Sequence, residues 1–444
     1  MNKLNKQAQV IDYTHDGKGL IKADGKPYFI KNVIVGEEID YTITKDKKKY
    51  GFARVDNIIT KSTNRIDPLC PYFNECGGCQ LQYMNYDEQI SFKEKKIINA
   101  FSKQGITLDK LNVIRSNQEF NYRNKITFSL AKENNIISAA LFKENTNHLI
   151  NIKHCLIQND VINNVMNEVV KLLNKYNIDI YNKTKHQGYL RQVVIRCNED
   201  GSEVLIGFIV NSKKYQGDLD NIIDNLIKQE KIKSVVINLN KEKVGPILGN
   251  KTKVVYGTGY IIDSLDDMKF KISLNSFYQV NPIQMKNLYT KAVELASISE
   301  NDLVLDAYCG VGTISSFVAK KAKEVVGVDI VESAIDDANK NMKLNKINNL
   351  DFICSDVDDY MNDKKNKFDV VMIDPPRKGC SNSFLESLVT NNPKRIVYIS
   401  CDVATQARDI KFLLDNDYKL EYIEGVDMFS QTYHVESVAL LKKD

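Results

Sequence analysis

An α/β architecture with a doubly wound C-terminal sheet is predicted by three observations. From about residue 285 short apolar runs alternate with segments of helix length; the first sixty residues carry short β-prone runs; the stretch between is β-rich without helical alternation. Alternation of strand and helix marks a parallel sheet covered on both faces. The expected parts are a small β-barrel over 1–61, a β-rich central region over 62–270, and an α/β domain over 271–444. Parts of segment 82–115 are expected to pack on the last of these.

At 444 residues the chain is long enough for two or three domains. Its 43% hydrophobic content can fill real cores, while no apolar stretch approaches the roughly 18 residues of a membrane helix. The opening "MNKLNKQAQV" lacks the apolar run of a secretory signal. A soluble, cytoplasmic monomer that does not engage membranes is therefore expected. A formal charge of +4 does not by itself announce nucleic acid. Nine cysteines, an odd number, argue against a disulfide framework in such a chain.

In the N-terminal part "AQVIDYTH", "GLIKA", "PYFIKNVIVGEEIDYTI" and "GFARVDNII" are separated by turn signals such as "DGKG" and "DGK". Strands of this length and spacing fit a barrel of the oligonucleotide-binding type. "KDKKKYGFAR" (45–54) is the densest basic segment, readable either as a solvated hairpin or as a surface for RNA or DNA.

Next, Cys70, Cys76 and Cys79 form C-x5-C-x2-C, and Cys155 in "IKHCLIQ" supplies a distant fourth thiol. Four thiolates suit tetrahedral zinc or an iron–sulfur cluster, and spacing alone leaves the two equal. Cys197, Cys309, Cys354 and Cys380 have no such setting and read as packing residues. "YDEQISFKEKKIINAFSKQG" has helical spacing and stops near Gly105. "NYRNK" (121–125) and "YLRQVVIR" (189–196) offer further Arg, Lys and Tyr for phosphate contact and stacking, or plain sheet surface.

In the last part "LVLDAY", "EVVGVDI", "LDFICSD", "FDVVMIDPP" and "RIVYISCD" are buried strands, each ending in a polar or reactive residue. Ligands of doubly wound sheets bind beyond those carboxyl ends. "LDAYCGVGT" supplies Gly310 and Gly312 for a tight turn but not the full G-x-G-x-x-G pattern. Asp329 at the second strand end can accept from two ribose hydroxyls. Asp356 reads as a helix cap or a ligand contact, and "DPPRKG" as a turn or a site loop. Together these ends predict an S-adenosylmethionine-dependent methyltransferase over another nucleotide-binding α/β domain.

Cys401 sits at the fifth strand end, either as a small semi-buried hydrophobe or as a nucleophile. Carbon 5 of uracil is too weak a nucleophile to take a methyl group directly. A thiolate added at carbon 6 makes carbon 5 reactive, and a base must then remove the carbon-5 proton. "YHVESVALL" (433–441) reads as a closing strand, in which alternation puts His434 and Glu436 on one side. A carboxylate for the base is thus available.

"SCDVAT", "HVE", "DPPRKG", "LDAYCGVGT" and "FYQVN" together resemble the bacterial RNA uracil-5-methyltransferase family, its 23S ribosomal RNA branch in particular. The resemblance spans nearly the whole chain, since the N-terminal barrel is similar to a TRAM domain and "CGGCQ" to the family's cysteine loop. It implies that Cys401 is the nucleophile and Glu436 the proton-abstracting base. It implies that Gln279, Tyr308, Asp329, Asp356 and Asp374 contact S-adenosylmethionine. It also implies a [4Fe–4S] cluster on Cys70, Cys76, Cys79 and Cys155, in preference to zinc; a radical enzyme would want C-x3-C-x2-C. "SCD" departs at Asp402 from the "SCN" common in relatives. The implied substrate is a uridine of 23S ribosomal RNA, flipped into the site from a loop or helix. The alternatives are the T-loop uridine of transfer RNA, a non-catalytic RNA-binding assembly factor, and an iron–sulfur redox protein, for which no flavin or nicotinamide fingerprint is present.

Overall fold

A computed structural model describes residues 6–212, 218–363 and 367–443. Its N-terminal part is a six-stranded sheet ordered Lys6–Gln9, Glu38–Asp46, Gly51–Thr60, Lys26–Ile30, Gly19–Ala23, Asp12–Tyr13. Alternate residues of these strands, with Val10, Val33 and the rings of Tyr28 and Tyr41, fill a core of its own. The apolar stretch "PYFIKNVIVGEEIDYTI" is broken into two strands, with Asn32 at φ 60° and Gly36 at φ 92° in the turn.

The central part is a seven-stranded sheet running from Leu149–Asn151 through Leu190–Cys197 to Lys251–Gly257. Helix Asp160–Lys175 packs on it, burying Ile162, Val165, Met166, Val169, Leu172 and Leu173. Their spacing is that of one helix face.

The C-terminal sheet contains β1 (Leu303–Ala307), β2 (Glu324–Asp329), β3 (Leu350–Cys354), β4 (Val370–Ile373), β5 (Arg395–Ser400), β6 (Tyr418–Val426) and β7 (Glu436–Lys443). The order is β3-β2-β1-β4-β5-β7-β6, with β1 to β5 parallel and β7 antiparallel to both neighbours. Val113–Ile114 extends the far edge by pairing with Gly425 and Val426. Helix α1 (Tyr86–Ser102) supplies Ile90, Ile97 and Phe101 to the core beneath this sheet, alongside α4 (Val403–Leu414). The opposite face is covered by α2 (Pro282–Ala296) and α3 (Thr313–Ala319), together with the hairpin Tyr260–Leu265/Met268–Ser273. Helices on both faces are what the strand–helix alternation of the sequence requires.

A buried ion pair fastens α1 to this sheet. Lys93 and Asp427 are both fully enclosed, and Asp427 also accepts from Tyr86 Oη (2.7 Å) and Ser430 Oγ (2.6 Å). Burial pulls the Lys93 ammonium down, and the Asp427 charge opposes that pull. Asp427→Asn leaves a buried lysine with no counter-charge. Urea unfolding of that variant is expected to lose about 3–5 kcal/mol.

Candidate active site

The register of β5 against β7 builds the centre of the site. Arg395 pairs with Lys442 and Ser400 with Ser437, so the next residues outward are Cys401 and Glu436. A parallel strand ends at the carboxyl edge of the sheet; an antiparallel strand begins there. The thiol and the carboxyl therefore meet at one edge.

Glu436 is 2% exposed. Burial, with the Asp374 charge beside it, pushes its carboxyl up to about 8, and Arg377 opposes the shift. The Cys401 thiol, half-buried, is pushed up to about 11 by burial and by the charges of Glu436 and Asp374. Asp374, at the end of β4, is pushed up to about 7 by burial and by Asp306. Asp402 caps α4, accepting from the backbone N–H of Ala404 (3.0 Å) and Thr405 (3.1 Å). The residue that departs from the usual "SCN" thus holds the helix that follows the thiol.

Along the same edge, Gly310 N–H donates to Asp329 Oδ2 (3.0 Å) and Val331 N–H to Asp329 Oδ1 (2.8 Å). Gly310 and Gly312 have positive φ for different reasons. A Cβ on Gly310 would enter open space, leaving its backbone accessible to a ligand; one on Gly312 would lie 2.3 Å from Phe352. Tyr308 holds φ 65°, rare for an aromatic residue, with its ring edge-on to Phe384 at 5.8 Å. Gln279 is buried against Tyr289. Asp356 caps helix Val357–Asn362 through Asp358 N–H (2.8 Å), its carboxylate remaining on the surface.

Sequence reasoning missed Asp306. It is fully buried in β1, accepts from Ser315 Oγ, and leaves Oδ1 without a partner; burial pushes it up to about 7. Its place before the glycine turn is the signal that was available. An orphaned buried oxygen beneath an open glycine turn fits a polar ligand at this edge.

Three expectations are corrected. The closing strand starts at Glu436, so strand alternation does not reach His434. His434 stacks on Tyr433 at 4.3 Å, and burial with nearby Lys96 and Arg377 pulls it down to about 4, leaving it neutral. In "NYRNK" and "YLRQVVIR", Tyr122 is buried and donates to Ser430 O (3.0 Å), and Tyr189 is buried. Arg196 is likewise buried, donating to Ser273 O and Ser276 O (3.1 Å each), so these three are structural. Cys354 is exposed, because β3 ends there; Cys197, Cys309 and Cys380 are buried as expected.

Cys70, Cys76, Cys79 and Cys155 converge. Cys79 is pushed up to about 12 and Cys155 to about 11, by burial first and then by their fellow thiols. Asn163 clamps the Cys155 backbone from both sides, at 2.9 and 3.1 Å. Among the described residues, however, no group of three or more His, Cys, Asp or Glu side chains is arranged to hold a metal ion. The donor set has the right chemistry, but its thiols are not drawn into a ligating shell.

The strand order, the glycine turn and the acid-lined carboxyl edge define an S-adenosylmethionine-dependent methyltransferase. A family model described as tRNA (Uracil-5-)-methyltransferase matches residues 85–444. An uncharacterised RNA methyltransferase of Staphylococcus aureus is 40% identical, over 98% of this chain and 97% of its own. One of Halalkalibacterium halodurans is 39% identical, over 98% and 96%. The crystal structure of Pyrococcus abyssi tRNA (uracil-54, C5)-methyltransferase, solved with S-adenosyl-L-homocysteine, superimposes with a TM-score of 0.79 at 28% identity, covering 98% of this chain and 99% of that one. The chain belongs to the tRNA (uracil-5-)-methyltransferase family and is an S-adenosylmethionine-dependent RNA methyltransferase.

The electrostatics of the pair predict two measurable effects. Alkylation of Cys401 by iodoacetamide, with Cys401→Ser as background, should reach half its limiting rate near pH 11. Glu436→Gln removes a negative neighbour and should raise the rate at pH 8–9, roughly tenfold for each unit the thiol falls. Stability should also change with pH. Folded Glu436 keeps its proton up to about 8, against 4.5 for the free carboxyl, so the folded state binds more protons in that window. Stability contributed by this group therefore falls as pH rises from 4.5 to 8. The difference in urea midpoint between pH 5 and pH 8 should shrink in Glu436→Gln.

Proposed function

We propose that this chain methylates carbon 5 of a uridine in 23S ribosomal RNA through a covalent enzyme–RNA adduct. The observation that carries the reading is Cys401 beside Glu436, one step beyond the Ser400–Ser437 pair. Bound S-adenosylmethionine supplies an electrophilic methyl group, and Gln279, Tyr308, Asp329, Asp356 and Asp374 are the residues we assign to hold it. The Cys401 thiolate bonds to carbon 6 of the base, placing the displaced electron pair on the ring. After carbon 5 has been methylated, Glu436 takes the carbon-5 proton. The electrons left behind re-form the carbon 5–carbon 6 double bond and expel the thiolate. A buried carboxyl pushed up to about 8 is a stronger base than a solvated one, which suits this step.

In this reading residues 1–61 are a TRAM-like RNA-binding module, 62–270 the cysteine-loop region and 271–444 the methyltransferase unit. Part of segment 82–115 packs on that last unit. The N-terminal sheet offers an aromatic group, Phe29, Tyr50 and Phe52, with ring centroids 5.7–5.8 Å apart and each half-exposed. Exposed Lys45, Lys48 and Lys49 border it. Aromatic faces flanked by lysines are what single-stranded RNA binds. The second reading, the T-loop uridine of transfer RNA, is favoured by the activity named for the Pyrococcus abyssi relative.

Incubation with labelled S-adenosylmethionine and either ribosomal or transfer RNA separates these. Cys401→Ala should transfer no methyl group, and Glu436→Gln should accumulate a methylated RNA–protein adduct stable to denaturing gels. Wild-type transfer by Cys401→Ala would end the nucleophile assignment. Transfer to neither RNA by the wild type would favour a non-catalytic assembly factor.

For Cys70, Cys76, Cys79 and Cys155 we propose a [4Fe–4S] cluster, with zinc as the alternative. The support is four convergent, half-buried thiols; the thiols would have to close on the metal from their present positions. Protein purified without oxygen should be brown, with about four irons per chain if the cluster is intact. A colourless protein with one zinc would replace the cluster by a structural zinc site.

A further inference from the structure

A cavity of about 520 Å³ lies where the N-terminal sheet, the cysteine loop and the Ile136–Phe142/Leu149–Asn151 hairpin meet. Asp16, Gly77, Phe142, Lys143, Lys183 and Tyr433 are on its wall. Its size falls within the roughly 300–1,000 Å³ of sites that hold small ligands. Phe142, the last residue of its strand, is 41% exposed. The two acids on the wall are each paired, Asp16 with Lys18 and Glu144 with Lys31. Lys143 and Lys183 have no acidic partner among the described residues; Lys183 Nζ donates only to Asn147 Oδ1 (3.2 Å). The cavity thus presents two aromatic rings and uncompensated positive charge.

Its position gives it a function. Tyr433 precedes His434 and Glu436 on the loop between β6 and β7, so one wall of the cavity leads to the reacting pair. Lys96 anchors that wall, donating to Tyr433 O (2.7 Å) with its ammonium 5.0 Å over the ring. The opposite wall is strapped to the cysteine loop by Gly77 N–H to Phe142 O (3.3 Å), where a Cβ on Gly77 would press on the Glu144 backbone at 3.0 Å.

We propose that this cavity is a second nucleotide site, which holds a base neighbouring the reacting uridine on the same RNA strand. Phe142 is its stacking surface, Tyr433, whose ring already carries His434 and Lys96, closes the end toward the reacting pair, and Lys143 and Lys183 meet the flanking phosphates. It rests on the RNA-methylating reading. A uridine turned out of its stack leaves its neighbour unstacked as well, and a site that stacks that neighbour lowers the cost of extrusion.

The probe is an end-labelled single-stranded oligouridylate bearing one 4-thiouridine, bound to the full chain and read by fluorescence anisotropy. Phe142→Ala should weaken binding about fivefold or more. Lys143→Ala with Lys183→Ala should flatten the dependence of log affinity on log salt by about 0.7 for each phosphate lost. Photo-crosslinks should map to Phe142 or Tyr433, while Tm and S-adenosylmethionine affinity stay at wild-type values. Unchanged affinity and salt slope would overturn the proposal. So would crosslinks confined to the N-terminal sheet, or weaker binding that appears only with a lower Tm. A wild-type chain that binds and crosslinks as described but methylates no RNA would sink the methyltransferase reading and leave this site standing.

Discussion

The antiparallel pairing of β5 with β7 is the constraint on which the site depends. A slip of one residue would put Val435 or Ser437 opposite Cys401 and turn the carboxyl to the other face of the sheet. The register is pinned by buried polar groups as well as by backbone bonds. Ser437 Oγ donates to Gln406 Oε1 (2.7 Å), and Gln406 Nε2 to Tyr398 O (2.9 Å). Tyr398 Oη in turn donates to Asp409 Oδ2 (2.7 Å), which also receives Cys380 N–H (2.8 Å). One chain of bonds thus joins β7, α4, β5 and the loop that carries Arg377. Breaking any link would leave a buried polar group unpaired, so the alternatives are costly.

That edge is charged in a way a free protein does not favour. Asp306, Asp374 and Glu436 are each pushed upward by burial first and then by a neighbouring carboxylate. Cys401 feels the same negative surroundings, which oppose formation of the thiolate. Arg377 is the cation that opposes them, lowering both Cys401 and Glu436. A positively charged sulfonium at this edge would relieve the carboxylates and favour the thiolate together. The excess of acids over bases is therefore an argument for a cationic cofactor.

Strand ends were legible in the sequence because a parallel sheet buries each strand on both faces and the apolar run must stop where the chain emerges. Asp329, Asp374 and Cys401 stand at or just beyond such ends, and the turn at Gly310 was visible for the same reason. Partnerships across the chain were not legible. Nothing near Lys93 announces that it will be buried against Asp427, and the place of Asp306 before the glycine turn marks the residue without showing that one of its oxygens stays unpaired. Arg196 looked like surface charge because its role, donating to two carbonyls of the 273–276 turn, depends on tertiary packing. His434 was misplaced by one assumption, that the strand already ran through it.

Gln431 links the cysteine loop to the strand that carries Glu436. This residue, 2% exposed and at φ 71°, sits on the loop that leads into β7. Its carbonyl accepts from the backbone N–H of Gln80 (3.0 Å) and Leu81 (3.1 Å), next to Cys79. Its N–H donates to Gln89 Oε1 (3.0 Å), and its side chain receives Gln89 Nε2 (3.0 Å) and donates to Glu119 Oε2 (3.2 Å). A glutamine in the left-handed region costs about 1–3 kcal/mol, and it persists here because five hydrogen bonds define it. Whatever fixes the cysteine loop, thiol packing or metal, therefore also fixes the entry to the strand whose first residue is Glu436. The loop is thereby tied to the position of Glu436 through backbone hydrogen bonds.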